Sequence, residues 1–77
     1  MTEITFERSG NAEARIYCDD QWIGGLFHRP DLLKPGSHYY VVHLFDDPRG
    51  PLHVHERAQV REATEARAAS HPYLDYS

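Results

Sequence analysis

His38-Tyr39-Tyr40-Val41-Val42-His43-Leu44-Phe45 is the stretch whose reading decides the fold. Aromatic and β-branched residues crowd it, which favours a strand over a helix. Side chains alternate across a strand, so Tyr39, Val41, His43 and Phe45 share one face and Tyr40, Val42 and Leu44 the other. Both faces are apolar. A sheet built around this strand therefore has two surfaces to cover.

Upstream, His28-Arg29-Pro30-Asp31-Leu32-Leu33-Lys34-Pro35-Gly36-Ser37 reads as a loop, punctuated by two prolines and a glycine. Before it, Gln21-Trp22-Ile23-Gly24-Gly25-Leu26-Phe27 reads as a strand, and its two glycines predict a bulge or a close backbone approach. Asp19-Asp20 is a short turn from the preceding strand, Ala14 to Cys18, which sets Ala14, Ile16 and Cys18 against Arg15 and Tyr17. Ile4 to Glu7 alternates in the same way and is joined to it through a turn at Ser9-Gly10-Asn11.

Downstream, Asp46-Asp47-Pro48-Arg49-Gly50-Pro51 is a turn. Leu52 to His55 fits either a fifth short strand or the lead-in to a helix. Glu56 to Ser70, filled with Ala, Glu, Arg and Gln, is a helix on propensity. Its apolar stripe is thin, with Val60, Ala63 and Ala66 or Ala68, and Arg61 and Glu65 stand four apart as a surface pair. His71-Pro72 ends it. The expected architecture is α+β, a four- or five-stranded antiparallel sheet with one C-terminal helix. It forms a single domain over residues 1–77, with the tail 72–77 outside the core.

Seventy-seven residues bury only about 60% of the surface the unfolded chain exposes, so the core is thin. Cys18 is the single cysteine, which excludes an intrachain disulfide and fits a reducing, cytoplasmic setting. Its place in an alternating run reads as a small buried hydrophobe. The N-terminus is acidic and alternating, unlike a signal peptide, and no apolar run is long enough to span a bilayer.

Twelve acids against eight bases give a net charge of −4. That sign disfavours direct nucleic-acid binding and suits a basic protein surface, including one that itself holds nucleic acid. The doubled acids Asp19-Asp20 and Asp46-Asp47 each fall at a strand end. Ordinary turn chemistry explains either pair alone. Together, with Glu3, Glu7 or Glu13, they would form a negative patch for lysines and arginines of a partner. Trp22 and Tyr39 supply interface anchors, and Tyr17, Tyr40, Tyr73 and Tyr76 add more aromatic surface than so thin a core hides. The same face would equally serve a homodimer.

No glycine-rich phosphate loop, nucleophile elbow or nucleophile–base set is present, so the chain reads as non-enzymatic with no cofactor. Six histidines leave one metal alternative, His53 and His55 with His43 or His38 as third ligand, against the plainer reading of surface or hydrogen-bonded histidines.

In size, acidity and its doubled acids Asp19-Asp20 and Asp46-Asp47, the chain resembles the small anti-CRISPR proteins that phages use against type I surveillance complexes. Seven arginines to one lysine would suit a phage of a GC-rich host. The resemblance implies an inhibitor that blocks the basic DNA-binding surface of such a complex by charge and bulk. It carries over no individual residue. The alternatives are a self-associating accessory protein and a small histidine-bound metal protein.

Overall fold

A computed structural model describes residues 3–71; the tail at 72–77 and its two tyrosines lie outside the described residues. The chain forms a five-stranded antiparallel meander in the order β1-β2-β3-β4-β5, followed by one helix. The strands are β1 (Ile4–Gly10), β2 (Glu13–Cys18), β3 (Gln21–Pro30), β4 (His38–Leu44) and β5 (Leu52–Val54). A single 3₁₀ turn, Arg57–Gln59, precedes α1 (Val60–Ala69).

The stretch around β4 behaves as its alternation requires. Val42 and Leu44 are buried and Tyr40 packs against them, while Tyr39, Val41, His43 and Phe45 face outward. Ile4, Ile16, Cys18, Ile23 and Val54 complete the inward layer, over which α1 lays Val60, Thr64 and Ala68. Burying a side chain of this size stabilises the fold by about 1.5–3 kcal/mol, so this one layer carries most of the stability.

The sequence reading differs at β1, which runs on to Gly10, at β3 and at the start of the helix, and its open reading of Leu52 to His55 is decided. β3 runs on through His28, Arg29 and Pro30, because Tyr40, Tyr39 and His38 pair with them across the sheet. Pro30 is tolerated as the last residue of the strand. Leu52–Val54 is a strand, paired with Tyr40, Val41 and Val42. Three residues are too few to show a period, so this pairing decides their conformation. The α-helix starts four residues after Glu56, because the 3₁₀ turn intervenes.

Both expectations for the paired glycines are met. Ile16 pairs with Gly24 and Tyr17 with Trp22, which leaves Ile23 as the extra, bulged residue. A Cβ on Gly24 would stand 2.2 Å from the carbonyl oxygen of His43. The bulge turns Ile23 inward while Trp22 stays outside.

On α1 the buried stripe is Val60, Thr64 and Ala68, with Ala63 half-buried and Ala66 exposed. The threonine was absent from the expected stripe; its hydroxyl donates to the Val60 carbonyl at 2.7 Å, which satisfies it without water. Arg61 does not pair with Glu65. Its guanidinium donates to the Ile4 carbonyl and lies over the Phe6 ring at 5.3 Å, tying the helix to β1.

Candidate functional site

The helix covers one face of the sheet. On the other face Thr5, Glu7, Arg15, Tyr17, Trp22, Phe27, Arg29, Tyr39, Val41, His43 and Phe45 are all exposed or half-buried. The meander puts the Asp19-Asp20 turn and the turn after β4 at the same end of this open face.

At that end Trp22 is 49% exposed and Phe45 41%. Their rings meet edge to face at 5.2 Å. The Trp22 indole donates to the Gly24 carbonyl at 2.8 Å, and the Arg15 guanidinium lies 4.6 Å from its ring centre. Three contacts thus fix an exposed tryptophan in one orientation. A partner meeting it has little side-chain entropy left to remove. Beside the pair is a groove of about 300 Å³ floored by Gly24 and Gly25 and walled by Trp22, Phe45, Phe27, Arg15 and His43.

The acids at this end divide. Asp19 and Asp20 form a two-residue hairpin turn, both at positive φ (48° and 70°), as a type I′ turn requires. Asp19 Oδ1 accepts the Glu3 amide at 2.9 Å and the Asp19 amide donates to the Glu3 carbonyl at 3.0 Å, which anchors β1 and brings Glu3 to this end. Asp20 and Asp46 make no hydrogen bond or ion pair with another described residue. Asp46 also has positive φ, at 56°.

Asp47 departs from the expected patch. Its side chain is 1% exposed and takes Arg49 Nε at 2.8 Å, Arg49 NH2 at 2.9 Å and Arg67 Nε at 3.0 Å. The hydrogen bonds from Arg49 hold its carboxyl well below the usual carboxylate range. Arg49 reaches on to Ser70 Oγ at 2.7 Å and the Arg67 carbonyl at 3.0 Å. Arg67 also donates to the Gly50 carbonyl. This cluster clamps the turn after β4 to the C-terminal end of α1, where arginine complements the helix dipole. His71 Nε2, 2.8 Å from the Phe45 carbonyl, adds a second tie. Asp47 is therefore part of the fold and cannot meet a partner while the turn is intact.

Tyr39 is on the open face but roughly 20 Å along β4 from Phe45. It lies with His53 and His55, at ring-centre distances of 5.2 and 6.1 Å, under a loop whose Leu32 and Leu33 are 89% and 92% exposed. Trp22 and Tyr39 thus mark opposite ends. His43 lies beyond the β5 pairing, and among the described residues no three His, Cys, Asp or Glu side chains gather as a metal site would need. Glu13, in the β1–β2 hairpin, lines the groove beside Trp22 and Phe45, and Glu7 stands opposite Arg15 in the β1–β2 register.

Cys18 is buried, and burial, with the nearby Asp19 charge, pushes its thiol above the ordinary value. Such a thiol is a poor nucleophile. Phe45, Arg15 and the groove were missed in the sequence. Phe45 was legible as the outward end of β4, but its partnership with Trp22 depends on the β3–β4 register. No helix among the described residues is long and apolar enough to cross a membrane. Comparison with family models, curated proteins and solved structures gave no match.

Proposed function

We propose that this chain is a non-enzymatic protein-binding domain that seats the Trp22–Phe45 end of its open sheet face on a basic surface of a larger protein or nucleoprotein complex. The observation that carries this reading is an exposed tryptophan, fixed on three sides, beside unpaired carboxylates. Tryptophan in a desolvated pocket supplies affinity, and Asp20, Asp46 and Glu3 at the rim supply steering and orientation towards arginine or lysine. If that basic surface normally grips phosphates, the bound domain excludes nucleic acid from it. Blockade of a type I CRISPR surveillance complex is the form that the sequence resemblance implies.

The test is target-DNA binding by a purified type I surveillance complex, with and without this protein, at low and high salt. Inhibition should weaken with salt. Trp22→Ala should weaken it about thirtyfold, as a loss of ~2 kcal/mol would. Asp20→Asn with Asp46→Asn should cost less and flatten the salt dependence. DNA binding that saturating protein leaves unchanged would reject the CRISPR form. A sedimenting dimer that Trp22→Ala dissolves would assign the open face to self-association instead.

A further inference from the structure

The helix does not cover the whole inner face of the sheet. Between its first turn and the β1–β2 hairpin lies a second cleft, of about 720 Å³, on the opposite side of the sheet from Trp22. Its apolar lining includes Phe6, Ala14, Leu26, Tyr40 and Val60. Arg8, Arg57, Arg61 and His28 line it as well, and Glu13 is its one acid among the described residues. In a chain of net charge −4, three of the eight lysines and arginines line this one cleft.

Much of their donor capacity is unused. The Arg57 side chain makes no hydrogen bond or ion pair with another described residue. Arg8 commits only Nε, to the Gly10 carbonyl at 3.2 Å. Arg61 commits NH1 to the Ile4 carbonyl. His28 stacks on Tyr40 at 4.7 Å with the rings 10° from parallel, giving the cleft an aromatic wall. Guanidiniums lining one recess suit a phosphate monoester, whose charge and three terminal oxygens can accept from several N–H forks at once. The volume is in the range of small-molecule sites.

We propose that this cleft binds a small organic phosphate, with the phosphate held by Arg8, Arg57 and Arg61 and a flat apolar body laid against Phe6, Leu26 and Tyr40. This site goes beyond the partner-binding reading and uses none of its residues.

The test is a titration of the isotope-labelled full chain with adenosine monophosphate, followed by backbone amide NMR, with adenosine and inorganic phosphate as separate arms. Shifts should be confined to residues around Arg8, Ala14, Leu26, Tyr40 and Val60. Adenosine monophosphate should bind more tightly than either fragment. Arg57→Ala, at an exposed side chain with no partner among the described residues, should weaken it roughly tenfold, and Arg8→Gln should do the same without loss of fold. No shifts up to millimolar ligand, or binding that Arg57→Ala leaves unchanged, would overturn the site. A short thymidine oligonucleotide binding far more tightly, with a steep salt dependence, would reassign the cleft to nucleic acid. A dimer in sedimentation that Arg57→Ala dissolves would make it an interface between copies of this chain.

Discussion

The two doubled acids, Asp19-Asp20 and Asp46-Asp47, are identical dipeptides at the same end of one sheet, yet they do different work. The first is a tight hairpin turn with one carboxylate pinned to the β1 strand and one in solvent. In the second, Asp46 points away while Asp47 turns inward and binds two arginines. The difference comes from what each turn faces. The Asp19-Asp20 turn meets only the start of β1, whereas the turn after β4 packs against the C-terminal end of α1, which delivers Arg67 and Ser70. A carboxylate near a helix end is either left to water or recruited by whatever cation the helix brings. Here the cation won.

The largest effect should come from Asp47. Asp47→Ala leaves Arg49 and Arg67 without their shared acceptor and loosens the helix, so unfolding free energy should fall by about 2–3 kcal/mol in chemical denaturation. Asp20→Ala should change it by less than about 0.5 kcal/mol. Equal losses at the two positions would erase the distinction between the turns.

Acid titration sharpens the same contrast. Asp47 has a lowered pKa in the folded chain, so the unfolded chain takes up its proton first as pH falls. Its stabilisation is complete above the ordinary carboxylate value and is lost progressively as pH drops below about 4. Denaturant midpoints of Asp47→Asn should therefore fall less steeply over that window than those of the parent chain.

A smaller loss is expected at Asp19. Asp19→Ala removes the acceptor of the Glu3 amide, costing about 1 kcal/mol and raising amide exchange at the start of β1. The smallest effect is of opposite sign. Asp20→Gly relieves a non-glycine residue at positive φ and should raise stability by roughly 0.5 kcal/mol, the steric relief outweighing the added backbone entropy of the unfolded chain. Destabilisation there would mean that the Asp20 side chain has a structural task like that of Asp47.

Much of the open sheet face was legible. The two-faced alternation of Tyr39 to Phe45 foretold an open aromatic sheet face, and Trp22 and the acid turns were recognisable as its polar and aromatic elements. What escaped were relations across the sheet. Phe45 reaches Trp22 only because its amide bonds the Ile23 carbonyl at 2.8 Å, which sets the bulged strand beside the end of β4. The basic cleft was equally hidden, since Arg8, His28, Arg57 and Arg61 are scattered through the chain and meet only when the helix returns over the β1–β2 hairpin.

By itself the sequence determined the α+β class, the first four strands, the helix and the special backbone at Gly24-Gly25, a bulge or a close approach. Alternation, propensity and glycine placement are local properties written along the chain. Only the tertiary structure decided that Leu52–Val54 is a strand, that Thr64 belongs to the core and that Asp47 is structural. Each of these depends on a partner distant in sequence: Tyr40–Val42 for β5, the buried sheet face for Thr64, and Arg67 for Asp47. A carboxylate carries no mark of which cation will reach it; the fold supplies that.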